Sequence, residues 1–240
     1  MKLRFLITGV GRCGTVFMAR LLTHLGVPCG HETIFDWRGL EIAKKRLAGE
    51  ENLQLSYCST MKLIGKDTWT PIPVWLEDIN QIEAESSYLA APFLSEDILA
   101  NTTVIHVVRN PLRVVNSFCN HIVYFQSHKP NNSFEQFIYT NLPALREKMP
   151  PYDRACLFYV RWNEMIKASV FHRIEDDPQK VIDVLGLHGP ILADKTINSM
   201  KKKGVKTFAL QDIQSDQIRE EFICLGKSYG YHMQSEYLLI

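Results

Sequence analysis

A glycine-rich loop, GVGRCGT, runs from Gly9 to Thr15 directly after a short apolar segment. Gly9 and Gly14 have the spacing of a P-loop, and Thr15 occupies its Ser/Thr position. Glycines let backbone N–H groups converge on an anion, and the positive end of a following helix strengthens that attraction. The pattern therefore predicts a phosphate-binding loop, the alternative being a tight strand-to-helix turn without a ligand.

The loop lacks the lysine that ATP and GTP enzymes carry directly after the last glycine, since Thr15 follows Gly14 there. Its cation, Arg12, stands two residues earlier. Those enzymes also hold Mg²⁺ with an aspartate at the end of a second apolar strand, whereas the best candidate strand here ends in Arg109. A P-loop kinase that uses ATP and a nucleotide-binding module without catalysis are therefore kept only as alternative functions.

A second anion site is predicted from the segment VIHVVRNPLRVVNS, residues 104–117. Arg109 closes an apolar strand, Pro111 occupies the favoured first position of the next helix, and Ser117 lies two turns into it. An arginine at a strand end and a serine on the facing side of the next helix can bind one anion together. Because parallel strands end at one edge of a sheet, we expect this site at the same edge as the glycine loop.

His31 and Glu32 follow another short apolar segment, at the end of a second predicted strand. In a doubly wound sheet this position is close to the glycine loop, so either side chain is a candidate general base. Side chains alternate in direction along a strand, and we therefore expect only one of the two to face the site. A surface carboxylate is the alternative interpretation of Glu32.

Two of these segments resemble those of a known family. GVGRCGTVF is similar to the 5′-phosphosulfate loop of PAPS-dependent sulfotransferases, and RNPLRVVNS is similar to their 3′-phosphate motif. GVPCGHE and FHRIEDDPQKVIDVLGL also follow family patterns, so the resemblance covers much of the chain. It implies transfer of a sulfuryl group from 3′-phosphoadenylyl sulfate (PAPS) to an acceptor hydroxyl or amine. PAPS has no γ-phosphate and the transfer needs no metal, which accounts for the missing lysine and aspartate.

The resemblance also implies roles for individual residues. The 5′-phosphosulfate would be bound by Gly11, Arg12, Cys13, Gly14 and Thr15, and the 3′-phosphate by Arg109 and Ser117. Arg12 would stabilise the charge that develops on the bridging oxygen as the bond to sulfur breaks. Relatives that use a glutamate favour Glu32 as the general base, with His31 as the alternative.

Several positions depart from the family's pattern and indicate a divergent, bacterial-style member. Cys13 replaces a common serine, and Arg113 replaces the aspartate common after the Arg-Asn-Pro motif. The cytosolic branch carries its base in a Lys-Thr-His segment, where this chain has Glu85-Ser86-Ser87. The Tyr-Glu-Asp of that branch is Ile174-Glu175-Asp176 here, which removes an adenine contact. The basic run Lys201–Lys203 would either cover the 3′-phosphate or form a solvated charge run.

Short apolar segments alternate with amphipathic ones, which predicts an α/β fold: a P-loop-containing, doubly wound parallel sheet with helices on both faces. The predicted strands are residues 3–8, 27–30, 52–62, 103–108 and 169–174. The predicted helices are residues 15–25, 112–125, 133–148, 152–167, 178–187 and 214–229. His106 and the aromatic residues between 118 and 139 are predicted to lie in the core. A single domain over residues 1–240 is expected, with helical elaboration around 130–168.

The bulk composition argues against several classes of function. With 27 basic and 26 acidic residues the formal net charge is +1, so the strong positive field typical of nucleic-acid binding is not expected. Six cysteines without a CxxC pair predict reduced, mostly buried thiols and no metal site. The short apolar N-terminal run predicts no signal peptide or membrane anchor. We therefore expect a cytoplasmic protein with no nucleic-acid or membrane partner. The resemblance adds the expectation of a small-molecule or glycan acceptor, which no residue pattern identifies further.

Overall fold

The computed structural model describes residues 2–50, 82–189 and 207–233. They group into two compact units, residues 2–50, 82–108 and 165–189 in the first and residues 109–164 and 207–233 in the second. The strand predicted at residues 52–62 and the run Lys201–Lys203 lie outside the described residues. The single domain predicted over residues 1–240, with its helical elaboration, stays a prediction.

The first unit contains a five-stranded sheet in which every neighbouring pair is parallel. Its strands are β1 (Phe5–Thr8), β2 (Cys29–His31), β3 (Ala84–Ser86), β4 (Thr103–Val108) and β5 (Val170–Arg173), in the spatial order β2-β3-β1-β4-β5. β1, β2 and β3 consist entirely of buried residues, which is typical of parallel strands. The predicted α/β fold is confirmed, and the carboxyl ends of all five strands lie along one edge.

The α-helices are α1 (Thr15–His24), α2 (Leu40–Ala48), α3 (Pro111–Asn116), α4 (Ser133–Asn141), α5 (Pro151–Glu164), α6 (Gln179–Val184) and α7 (Asp216–Ser228). α1 confirms its prediction, because Phe17, Leu21 and other buried side chains recur at helical spacing. It ends just before Gly26, whose φ of +84° favours glycine. α1 packs against β1, β2 and β3.

Two predicted helices end well before their predicted last residues. The one predicted over residues 112–125 is α-helical only as α3 and continues as a wider π-helical segment, Ser117–Ile122. The one predicted over 133–148 stops with α4, because Leu142 leaves the helical conformation before Pro143. The sequence pattern also misses α2 and β3. β3 is hard to recognise because it has three residues, one of which is a buried glutamate.

Most of the predicted core is confirmed where the structure describes it. His106 is buried in β4 and packs edge-on against Phe171, with ring centroids 5.9 Å apart. Of the six aromatic residues predicted as core, Phe118, Phe125, Phe137 and Tyr139 are buried, whereas Tyr124 and Phe134 are only partly buried. The five described cysteines are free thiols, and only Cys224 is exposed. No helix within the described ranges combines the length and apolarity needed to cross a membrane.

Candidate active site

The glycine loop joins β1 to α1, and its neighbours leave no room for side chains at two positions. A Cβ atom on Gly9 would lie 2.1 Å from the carbonyl oxygen of Val107 and 2.6 Å from Sγ of Cys13. A Cβ atom on Gly14 would lie 2.6 Å from Ile174, and Gly14 also has a φ of +112°. The loop is therefore packed onto β4 and onto the residue after β5, at the carboxyl edge of the sheet.

The start of α1 has properties that suit an anion. Thr15 begins a ten-residue helix with no acidic residue in its first turn and no side-chain hydrogen bond at its N-cap. Arg12 and Gly14 both have a positive φ, a conformation found where successive N–H groups form a concave anion site. Cys13 is buried and closes the loop, its N–H donating to the carbonyl of Val10 at 3.2 Å. The loop thus fits a phosphate or sulfate group.

Thr15 links the loop to the ends of two neighbouring strands. Its hydroxyl oxygen lies 3.2 Å from Nε2 of His31, the last residue of β2. Its carbonyl oxygen accepts a 2.7 Å hydrogen bond from the hydroxyl of Ser86, the last residue of β3. The expected closeness of His31 to the glycine loop is therefore confirmed as a direct contact.

His31 is poorly suited to act as a general base in this environment. Burial, together with the nearby positive charge of Arg12, lowers the pKa of His31 from 6.5 to about 4. The imidazole is therefore neutral at neutral pH, and its weak proton affinity makes it an inefficient acceptor there. Its contact with the Thr15 hydroxyl links the end of β2 to the start of α1.

Glu32 has the opposite electrostatic character, although it is the next residue. Burial first, and then the negative charges of Glu85 and Asp36, raise its pKa from 4.5 to about 8, while Arg12 acts in the other direction. Its Oε1 lies 3.9 Å from Nε2 of His31. Its φ of +52° is a left-handed conformation, and such strained residues cluster at active sites. A carboxyl group with this pKa is well matched to proton transfer near neutral pH.

The turn that follows Glu32 is anchored at its far end by a buried ion pair. Asp36 accepts hydrogen bonds from Arg38, the shortest at 2.6 Å, and from Arg46 at 2.8 Å. The buried Arg46 also donates to the carbonyl of Ile34 at 2.9 Å. These contacts fix the backbone between Ile34 and Asp36 and thereby restrict the segment that carries Glu32.

Glu85 of β3 is the polar residue of this region whose function no sequence pattern indicated. It is fully buried, and its Oε1 accepts the N–H groups of Thr33 and Ile34 at 2.7 and 2.9 Å. The sequence identified it only as part of the segment that stands where the cytosolic branch has Lys-Thr-His. The sequence signal that could have pointed to Glu85 is an acidic residue in a short segment whose other residues are small.

The second unit carries the residues predicted to bind the 3′-phosphate, on either side of α3. The carbonyl of Arg109 accepts a hydrogen bond from the hydroxyl of Tyr159 at 3.2 Å. Asn110 caps α3 by accepting the N–H of Arg113 at 3.3 Å, so the unusual arginine is compatible with a regular helix start. Ser117 is buried and begins the π-helical segment, a deformation that is frequent at functional sites.

Four of the predicted site residues are thus brought together in the first unit: Arg12, Thr15, His31 and Glu32. Gly11, Cys13 and Gly14 belong to the same loop, and Arg109 and Ser117 belong to the second unit. Their roles in binding and catalysis stay predictions. Across residues 2–50, 82–189 and 207–233, no three His, Cys, Asp or Glu side chains are grouped so as to hold a metal ion.

Comparison with known proteins bears on the identity of this site. The family model of the sulfotransferase domain matches residues 2–222, which include the glycine loop, the β2 end and the segment around α3. No curated protein matches the chain.

Proposed function

This chain belongs to the sulfotransferase domain family, and from that premise we propose that it transfers a sulfuryl group from PAPS to a hydroxyl or amine of a small-molecule or glycan acceptor. Membership of the family makes the chain a transferase; the donor and the acceptor are the proposal. Its main support is the electrostatic coupling between Arg12 and Glu32, because the cation of the loop acts on the side chain best suited to take a proton. A loop that only held phosphate would not need such a carboxyl group beside it.

The donor would be held through its two charged ends. Arg12 and the N-terminal end of α1 would bind the 5′-phosphosulfate, with Gly11, Cys13, Gly14 and Thr15 lining the loop around it. Arg109 and Ser117 would bind the 3′-phosphate, the arginine by a charge-assisted hydrogen bond and the serine by its hydroxyl. When bound, PAPS supplies the sulfuryl group, and adenosine 3′,5′-bisphosphate remains after the transfer.

The side chains would then divide the chemistry between them. The acceptor atom forms a bond to sulfur, and the bond from sulfur to the 5′-phosphate oxygen breaks with its electron pair left on that oxygen. Glu32 takes the proton of the acceptor, and Arg12 offsets the negative charge on the departing oxygen. His31 does not take the proton, because its pKa is lowered to about 4; it holds Thr15 at the start of α1.

A nucleotide-binding experiment tests this proposal. Adenosine 3′,5′-bisphosphate, PAPS and ATP with and without Mg²⁺ are compared by thermal shift and by calorimetry, and PAPS turnover is then measured over a panel of hydroxyl and amine acceptors. We expect tight, metal-independent binding of the bisphosphate and weak binding of ATP. Micromolar ATP binding that depends on Mg²⁺, without a response to the bisphosphate, would instead support a kinase. Bisphosphate binding without turnover of any acceptor would support a non-catalytic module.

A further inference from the structure

Glu85 has an unusual position for an acidic residue, in the middle of the three-residue strand β3 and fully buried. Among the described residues, only one of its two carboxyl oxygens has hydrogen-bond partners: Oε1 accepts the N–H groups of Thr33 and Ile34, which are 52 and 51 residues away in the chain. Within the described residues, Oε2 is buried without a hydrogen-bond partner. A Cβ atom on Gly30 would lie 2.3 Å from this Oε2, so the glycine leaves space for the carboxyl group. A buried carboxyl group with one unpartnered oxygen is costly, and its presence calls for a function.

The contacts of Glu85 define the backbone turn on which Glu32 stands. The N–H of Glu32 donates to the carbonyl of Ser86 at 3.3 Å, and the next two N–H groups donate to Glu85. The hydroxyl of Ser87 then donates to the carbonyl of Phe35 at 2.7 Å. Four consecutive residues of the turn, Glu32 to Phe35, are thus held by β3 and by the residue that follows it. This anchoring holds Glu32 in its left-handed conformation, which otherwise costs free energy.

We propose that Glu85 is a positioning residue for the general base: its carboxyl group holds the turn that presents Glu32 to the acceptor. This inference rests on the proposed function only in so far as Glu32 is the base. Glu85 does not touch the reacting atoms. It acts through the backbone of residues 33 and 34 and through its charge.

The charge of Glu85 provides the second route by which it acts on Glu32. The charged and titratable groups around Glu32 are Glu85 from β3, Asp36 from the same turn, Arg12 from the glycine loop and His31 from β2. Asp36 is partly neutralised by its ion pairs with two arginines, and His31 is uncharged at neutral pH. Among the described residues, Glu85 is the group whose ionisation most opposes that of Glu32, and Arg12 is the charge that favours it. Burial also raises the pKa of Glu85 itself to about 8, against the effect of its N–H donors.

Three variants separate these two routes. Glu85→Gln removes the charge but keeps an amide oxygen that can accept the two N–H groups. Glu85→Ala removes both the charge and the anchor. Ser87→Ala is the matched control, because it removes an uncharged anchor of the same turn, the hydrogen bond to Phe35. Each variant is examined by NMR titration of its ¹³C-labelled glutamates, with Glu32→Gln used for assignment, and by the pH profile of PAPS turnover.

We expect Glu85→Gln to lower the pH at which Glu32 titrates by about one pH unit, and the acid limb of the turnover profile to move by the same amount. Glu85→Ala should in addition lower the plateau of turnover at least tenfold. Ser87→Ala should lower the melting temperature and leave the titration of Glu32 in place. If Glu85→Gln leaves that titration unchanged, or if Ser87→Ala moves it equally, the proposal is wrong. The NMR titration does not depend on turnover, so a failure of the sulfotransferase proposal would be seen separately, as a lack of bisphosphate binding by the native protein.

Discussion

The carboxyl ends of β2 and β4 carry polar groups of opposite kinds, although both follow buried parallel strands. At the end of β2, burial shifts two neighbouring titratable groups in opposite directions, lowering the pKa of His31 to about 4 and raising that of Glu32 to about 8. Arg109 and Ser117 follow β4. The arginine keeps its charge, and the serine hydroxyl does not titrate near neutral pH. In the proposed function, the first region moves a proton and the second only binds an anion.

This difference arises from burial and backbone conformation rather than from the strand ends as such. Burial disfavours whichever form of a group is charged, so the same environment weakens the proton affinity of His31 and strengthens that of Glu32. After β2 the chain turns at Glu32, which has a left-handed conformation, and the next residue hydrogen-bonds to Glu85 of β3. The chain after β4 instead continues directly into α3, capped by Asn110. The comparison can be tested by changing each region and measuring chemistry and binding separately.

The largest effect is expected from Glu32→Gln, which should lower kcat roughly 10²–10⁴-fold, because general-base catalysis contributes that much. Binding of adenosine 3′,5′-bisphosphate should stay within a few-fold of the native protein, as measured by calorimetry. His31→Asn is the control, since it removes the neighbouring titratable group and should affect kcat less. A reversal of the two results would make His31 the base, and equal small effects would place the base outside this turn.

Arg12→Ala should reduce kcat by roughly 10²–10³-fold, the effect typical of removing one group that stabilises a developing negative charge. Binding of adenosine 3′,5′-bisphosphate, measured by calorimetry, should weaken much less, since the charge that Arg12 offsets is greatest during the reaction. A loss of equal size in binding and in kcat/KM, with kcat unchanged, would show that Arg12 only anchors the nucleotide.

Arg109→Ala should weaken binding of adenosine 3′,5′-bisphosphate by about 1.5–3 kcal/mol, because one charge-assisted hydrogen bond is lost. Ser117→Ala should cost less, since a neutral hydrogen bond contributes about 0.5–1.5 kcal/mol. Adenosine 5′-monophosphate, which lacks the 3′-phosphate, is the matched ligand, and its affinity should not respond to either variant. Unchanged affinity for the bisphosphate in both variants would rule out the proposed 3′-phosphate site.

The sequence predicts those parts of the two regions that depend on residues close together in the chain, and it misses those that depend on distant residues. β4 matches its predicted bounds, because six apolar-rich residues are followed by an Arg-Asn-Pro segment that ends the strand. The glycine loop and α1 are equally local, and their predicted positions after β1 are confirmed. In contrast, the environment of Glu32 depends on Glu85, whose contacts with Thr33 and Ile34 span 52 and 51 residues. The sequence therefore identified the candidate base, but not the buried partner that raises its pKa.

The π-helical segment after α3 had no sequence signal either. The apolar spacing after Pro111 is compatible with a continuous helix, which is why residues 112–125 were predicted as one. Just before the π-helical segment, Asn116 accepts hydrogen bonds from the nearby Asn120 and from the N–H of Phe208, which is 92 residues away. Non-local hydrogen bonds of this kind override helical periodicity, so the conformation of this segment could be learned only from the structure.

The smallest effect that still separates the two regions is the pH dependence of stability. Between pH 6.5 and 8 the native protein keeps protons on Glu32 and Glu85, both with a pKa of about 8, which the unfolded chain has released above its usual 4.5. The native state therefore binds more protons in this window, and the free energy of unfolding should fall as the pH rises, by at most about 1.4 kcal/mol per pH unit for each carboxyl group.

Urea unfolding at pH 6.5, 7.25 and 8 measures this slope of the free energy of unfolding against pH. Glu32→Gln should make it shallower, whereas Arg109→Ala should not. His31→Asn should leave the slope between pH 7.25 and 8 nearly unchanged, because His31 is largely unprotonated there in both the native and the unfolded chain. An unchanged slope in Glu32→Gln would mean that the carboxyl group at the end of β2 is ionised at neutral pH. The ends of β2 and β4 would then differ in their position in the sheet but not in their capacity to exchange a proton.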